Sequence, residues 1–361
     1  MSKARELAEL GAVYDSGALS NRNLIINGGM TISQRIGTTA TAITGGAYGL
    51  DRWLAYYDGN SYTTQQVADA PASSGVYNSM KLLVTGTSTP NYSFFGQKLE
   101  ANNINHIGLG TANCQSFTIS FYVKSSVTGV YSISVTNNAS DLAYPVQYTI
   151  NSADTWERKT MTIPPITSGT WEVGTGIGIF LRFNMGSPSS RTDTADGWRT
   201  GNFDGADGST GSISWATTSG ASFYITGCQL EVGTEATPFE HRSFCDELHR
   251  CQRYFEVIVS GDSREIGGGN YYSSSAIHCP TIFETSKRTN SYSVTVTGGT
   301  NYFRVYRNGT SDDFDGFTGS TRANINRCLL YASSGVSGTA GHGLELLTNN
   351  SSAKVVVDDE L

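Results

Sequence analysis

Between residues 117 and 183 apolar side chains fall on every second position. Phe117, Ile119, Phe121 and Val123 alternate with Ser116, Thr118, Ser120 and Tyr122. Tyr131, Ile133 and Val135 repeat the pattern, followed by Tyr144, Val146, Tyr148 and Ile150, and then by Ile177, Ile179, Leu181 and Phe183. Successive side chains of a strand point to opposite faces, so period two predicts strands with one buried and one solvated face. Gly, Asn and Ser turns separate these segments, as in an antiparallel sandwich. At 223–232 the alternation changes phase: Phe223 and Ile225 are odd, whereas Cys228, Leu230 and Val232 are even. A phase change needs one extra residue, and Gly227 is the natural place for a β-bulge. Gly233 and Pro238 then end the strand.

Ser243 followed by Asp246 reads as a helix start, after which Leu248, Cys251 and Phe255 share one helical face. Beyond it, Tyr292, Val294 and Val296 alternate, as do Phe303 and Val305. Cys328 to Tyr331 is apolar on both parities, and AKVVVDDEL reads as a final strand with an acidic end. The pattern predicts an all-β chain. A jelly-roll β-sandwich occupies 23–243, a short connecting helix 244–256, and a second, smaller sandwich-like β domain 257–361. Residues 2–10 (SKARELAEL) form about two helical turns with Ala4, Leu7 and Ala8 on one side. So short a helix needs a surface to dock on, so 1–22 reads as an attachment segment and linker. Two stretches break the rhythm, 36–50 and the long loop 186–211. Heptads and internal repeats are absent from the sequence.

Composition sharpens the class. Of 361 residues only 15% are charged, Gly numbers 41, and Tyr and Phe number 19 and 15, a turn-rich and aromatic-rich mixture that suits sandwiches. A net charge of −7 argues against nucleic acid as the partner. No apolar run approaches the ~18–20 residues needed to cross a bilayer, and the charged N-terminus lacks a signal-peptide core. Cytosolic synthesis is expected, and the six scattered cysteines read as free, mostly buried thiols.

Several long segments carry a resemblance: NLIINGGMTISQR (23–35), Asp51–Trp53, FGQKLE (95–100), FTISFYVKSS (117–126), DTWERKTMTIP (154–164) and QLEVGTEATPFEHRSFCDELHRCQRYF (229–255). In this order they resemble a family of bacteriophage tail-fibre and other virion structural proteins. The resemblance covers about residues 20–256 and implies a jelly roll like those of carbohydrate-binding modules. It also implies a short tail fibre or fibre-like appendage that attaches the particle to its host, assembled as a homotrimer in the host cytoplasm. Other virion proteins would be met through the N-terminus, and host surface glycan through the fibre. The alternative is a capsid decoration, head fibre or adaptor with a purely structural role. Protomer contacts are expected at Leu248, Cys251 and Phe255.

Candidate chemistry is sparse. Sugar C–H faces stack on aromatic rings while hydroxyls need polar neighbours. Trp198, Tyr56 and Tyr57 are the candidates in the first domain, and Tyr271 and Tyr272 in the second. Asp193, Asp196, Asp204 and Asp207 crowd the 186–211 loop, where oxygen ligands suit a structural Ca²⁺, although Asp-Gly pairs are also ordinary turn formers. His241, Cys245 and His249 are spaced as zinc ligands on one helix face, but Pro238 and the Ser243 cap put His241 before the helix. They read instead as surface histidines beside a buried cysteine. No cofactor is expected. GTGIG at 174–178 lies in a strand pattern with no following helix, and no nucleophile elbow or triad stands out, so no catalytic residue is assigned.

Overall fold

The computed structural model describes Lys3 and residues 21–43, 45–59 and 61–361, with 320–323 described by backbone alone. Ala4, Leu7 and Ala8 lie outside the described residues. The chain divides into two compact units, residues 1–247 with Leu361, and residues 248–360.

The first unit is a jelly-roll sandwich. Its six-stranded sheet runs in the order Thr41–Ala42 (β1), Ser61–Val67 (β4), Ser79–Gly86 (β5), Ser222–Val232 (β15), Phe117–Ser125 (β7), Glu157–Ile163 (β10). The facing seven-stranded sheet runs Arg199–Thr200 (β13), Leu142–Ile150 (β9), Gly129–Thr136 (β8), Ile177–Asn184 (β11), Tyr92–Glu100 (β6), Leu54–Asp58 (β3), Ala47–Tyr48 (β2). A two-stranded parallel pair, Thr192–Asp193 (β12) with Gly205–Ala206 (β14), belongs to the long loop. The predicted alternating residues fill the space between the sheets: Phe117, Ile119, Phe121 and Val123 from β7 meet Leu181 and Phe183 from β11 and Ile133 and Val135 from β8, all buried. Phe183 stacks on Phe95 at 4.8 Å and meets Phe121 edge-on at 5.1 Å.

The bulge falls where the parity change predicts it. Gly227 has φ +59°, and the β15–β7 register shifts between Thr226 and Gln229. One extra residue therefore returns Cys228 and Leu230 to the core that Phe223 and Ile225 already face. Past the bulge, the segments that carry the family resemblance tie the two ends of this unit together. Gln229 Oε1 accepts from the Glu240 main-chain N–H at 2.8 Å, and Thr237 donates its hydroxyl to Glu231 at 2.6 Å. Glu240 accepts from the Asn23 N–H at 2.9 Å, and Arg242 donates to the main-chain oxygens of Asn23 and Ile25. Asn27 brackets Ile32 through both its amide oxygen and nitrogen, and the Trp53 indole N–H donates to Asn27 O at 3.1 Å. Asp51 accepts both the main-chain and side-chain N–H of Gln34. Buried polar groups must find such partners, and these segments supply them between the two ends of the sandwich. The helix Phe244–Gln252 begins as predicted, with the Asp246 N–H donating to Ser243 Oγ at 3.1 Å.

The second unit is a smaller β-sandwich. A three-stranded sheet, Phe255–Ser260 (β16), Lys354–Asp358 (β25), Ser293–Thr297 (β19), accompanies a seven-stranded one. The latter runs Thr310–Phe314 (β21), Phe303–Arg307 (β20), Gly343–Thr348 (β24), Glu265–Ser273 (β17), Ala276–Ile282 (β18), Arg327–Ala332 (β23), Gly319–Asn324 (β22). The AKVVVDDEL strand is thus central, with Val355 and Val357 in a core shared with Phe303, Val305, Leu330 and Leu346. Within it, the Lys287 ammonium is buried and donates to the main-chain oxygens of Gln252 (2.5 Å) and Thr285 (3.0 Å) and to the Glu256 carboxylate. Its side chain is 0% exposed and that of Glu256 2%. Burial pulls the Lys287 pKa down from its ordinary value, while Glu256 opposes the shift.

Four expectations need correction here. The first is the helix over 244–256, which ends at Gln252, so that Phe255 opens β16 and does not share a helical face with Leu248 and Cys251. Cys251 and Phe255 are buried, 0% and 4% exposed, so they offer no surface to a second copy, while Leu248 is half-buried. Tyr271 is also a core residue with no exposed surface, and so is no ligand platform. The cysteines are free thiols: Cys228, Cys251, Cys279 and Cys328 are buried, Cys114 is half-buried, and Cys245 is exposed rather than buried.

Candidate binding cavity

Period-two patterning predicts a solvated outer face on the seven-stranded sheet of the first unit, but much of that face is covered. The registers place Tyr56, Phe94, Asn184 and Ser132 in one row across it, and Gly96, Arg182 and Ser134 in the next. Phe94, Phe180, Arg182, Asn184, Ser132 and Ser134 are all buried. The cover is the 186–211 loop. Ser132 Oγ accepts from the Ala206 N–H at 2.9 Å and lies 2.7 Å from Ser209 Oγ. Gly205 makes this close approach possible, since a Cβ there would sit 2.3 Å from Ser132 Oγ.

Asp204 anchors the loop. It is fully buried, and its carboxylate takes Arg182 Nη1 at 3.1 Å, Arg191 Nη2 at 2.8 Å, Arg191 Nε at 3.1 Å and the Ser187 hydroxyl at 2.8 Å. Arg182 also reaches Asn202 Oδ1 (2.6 Å) and Ser140 Oγ (2.8 Å), and its guanidinium lies over the rings of Phe180 (4.6 Å) and Phe94 (5.0 Å). Burial pushes the Arg182 pKa down to about 10; Asp204 opposes the shift and Arg191 adds to it. The group is therefore still a cation at neutral pH.

Where the loop stops short of β3 and β6, a cavity of about 540 Å³ remains. Tyr56, Tyr92, Phe94, Phe180 and Ile177 form its apolar side, and Lys98, Asn137, Asn138, Ser140, Arg182, Arg191 and Asn202 its polar side. Tyr56 is 40% exposed and stacks on Phe94 with rings 5.5 Å apart and nearly parallel (6°); Tyr92 lies 5.5 Å away, tilted. The cavity combines aromatic rings with amide and hydroxyl groups, which suits a molecule with apolar faces and hydroxyl edges.

Of the sequence candidates, Tyr56 alone lines this cavity. Tyr57 points the other way, half-buried against Tyr62 at 4.4 Å. Trp198 is half-buried between Tyr144 and Trp171, with its indole N–H on Pro164 O. Tyr272, in the second unit, is 65% exposed and stacks on His278 at 4.5 Å. The four aspartates do not converge. Asp204 is held by arginines, Asp207 accepts from Thr192 at 2.5 Å, Asp193 accepts from its neighbour Thr194, and exposed Asp196 is a turn residue with φ +60°. Among the described residues no group of three or more His, Cys, Asp or Glu is placed to hold a metal ion. That covers His241, Cys245 and His249, all exposed, with His241 before the helix and edge-on to Phe239.

Sequence reading missed Tyr92, Phe94, Lys98, Phe180, Arg182 and Arg191. A signal was present. In IGIFLRFN (177–184) and YSFFGQKLE (92–100) apolar residues occupy both parities, the mark of a strand buried on both faces, and the first carries an arginine in its middle.

No family model matches the chain, and no curated protein matches it. Solved structures do resemble the sandwich. One is the enzymatically active domain of bacteriophage CBA120 tailspike protein 4, with 13% identity over 59% of this chain and a TM-score of 0.33. This chain spans only 22% of that one. A protein from Bacteroides thetaiotaomicron shares 12% identity over 58% of this chain and 100% of its own, with a TM-score of 0.33. A family 11 carbohydrate-binding module of a Clostridium thermocellum cellulase shares 15% over 55% of this chain and 98% of its own, with a TM-score of 0.28.

Proposed function

We propose that the first unit binds a saccharide in the cavity between β3, β6, β11 and the 186–211 loop, and that the protein is a phage appendage attaching a virion to host surface glycan. The observation that carries the binding half is the stacked Tyr56–Phe94 pair beside Tyr92, lining one concave site together with Asn138, Ser140 and Asn202. Binding rather than cleavage is the reading. Glycoside hydrolysis needs two carboxyl groups about 5–10 Å apart, and no Asp or Glu lines the cavity among the described residues. The virion half rests on the sequence resemblance. Several copies on one particle, three in a homotrimer, would multiply a weak contact through effective concentration.

The test is a saccharide microarray probed with the full chain, followed by calorimetric titration of the best-bound saccharide against wild type, Tyr56→Ala and Tyr92→Ala. Each substitution is expected to weaken binding about tenfold, roughly 1.4 kcal/mol. No bound saccharide, or binding indifferent to both changes, overturns the assignment. Binding to capsids instead of cells would favour the decoration role.

A further inference from the structure

The charge of the cavity narrows what it can hold, and this step rests on the binding reading above. Lys98, Arg182 and Arg191 line it, with no acidic lining residue among those described. The one carboxylate touching the arginines, Asp204, lies beneath them with no exposed surface and is shared by both. One negative charge thus meets two positive ones, in a chain whose net charge is −7. The count does not lean on Lys98, whose ammonium already donates to the Leu361 main-chain oxygen at 2.6 Å. Arg182 is committed to Asp204, Asn202 and Ser140 and covered by two rings. Arg191 is different. Its side chain is 26% exposed, it gives Nε and Nη2 to Asp204, and its Nη1 meets no acceptor among the described residues.

We propose that the saccharide carries an acidic substituent, a carboxylate or a phosphate, and that Arg191 is the residue that selects it. A guanidinium held flat by one carboxylate keeps its remaining N–H groups aimed in a fixed direction, and both anions match that planar geometry. Its positive charge sits at the edge of a partly desolvated site, where attraction exceeds that between groups in open water. The sugar ring stacks on Tyr56 and Tyr92 while its acidic group faces Arg191.

The test uses the full chain and a microarray of neutral, uronate-bearing and phosphate-bearing bacterial saccharides. Acid-bearing spots are expected to be retained and their neutral counterparts lost. An oligogalacturonate and its methyl ester, titrated against wild type, form the carboxylate arm; a phosphorylated mannose oligosaccharide and its dephosphorylated form are the phosphate arm. In the arm that binds, removing the charge should weaken affinity at least tenfold. Arg191→Gln should erase that preference and Arg191→Lys should keep part of it. The ligand comparison on unaltered protein holds even if the variants disturb the loop. Equal binding of charged and neutral forms, still sensitive to Tyr56→Ala, overturns this inference and leaves the binding site standing. No saccharide binding in any arm overturns both.

Discussion

Each unit of this protein buries an ion cluster, and the two are finished differently. In the second unit Lys287 is closed off: three oxygen acceptors surround its ammonium and neither it nor Glu256 is exposed beyond 2%. Beside it Arg288 and Thr289 hold Asp359 (3.3 and 2.8 Å), so the chain end next to β25 is pinned by the same means. In the first unit Asp204 is equally buried, but both of its arginines line a cavity, and Arg191 keeps N–H groups that Asp204 does not use. A buried pair satisfied on all sides can only hold chain segments together. One with a cation to spare on a concave wall also has something to offer a ligand. Burial of charge is weak support for stability by itself, so the distinction rests on where the leftover donors point.

The largest expected effect comes from breaking the closed cluster. Lys287→Met leaves Glu256 buried and unpaired, which should destabilise the second unit by about 3–5 kcal/mol, and adding Glu256→Met should recover most of it. All five tryptophans lie in the first unit, so denaturation followed by far-UV circular dichroism should shift while tryptophan fluorescence stays. An unshifted dichroism transition would contradict the sealed-cluster account. Asp204→Asn should cost on the order of 3 kcal/mol, here in the fluorescence transition, since the loop carrying Trp198 loses its anchor, and saccharide binding should go with it. Stability lost with binding retained would separate the two roles given to the cluster. Tyr56→Ala removes no member of either ion cluster but gives up the ring contacts to Phe94 and Tyr92, so it should cost only about 1 kcal/mol of stability while weakening binding.

The smallest effect concerns Glu157, a carboxylate at the start of β10 and outside both clusters. Burial alone would raise its pKa, but hydrogen bonds from Lys159, from the main-chain N–H of Ser152 and from Asn151 outweigh this and hold it at about 2 instead of 4.5. A carboxyl whose folded pKa is depressed stabilises above its unfolded value and loses that contribution as pH falls through the folded one. The gap in stability between wild type and Glu157→Gln should therefore be steady above pH 4.5 and close towards pH 2. A gap that widens on acidification would contradict the hydrogen-bond assignment.

Much of the fold was readable because its signals are local. Alternation in β7, β8, β9 and β11 needs only the two-residue period of a strand, and the Gly227 bulge needs only a change of parity. The Ser243 cap is three residues from the N–H it accepts. Expectations failed where burial depends on distant chain. Tyr271 and Tyr272 are neighbours of similar polarity, yet one is in the core and the other 65% exposed, because strand register decides which face each takes. The wet outer face expected of β11 is roofed by a loop that sequence shows only as polar and glycine-rich.

The sequence alone determined the class, the strands, the bulge and the helix start, since each follows from neighbours within a few residues. The cavity was decided only in three dimensions. Its aromatic wall comes from β3, β6 and β11, its polar wall from turns near 138 and 202, and its charge from an aspartate 22 positions from one arginine and 13 from the other. No local pattern encodes such a meeting. It arises because two sheets must bury their inner faces together, and one long loop then finds its own buried partners on the outer face.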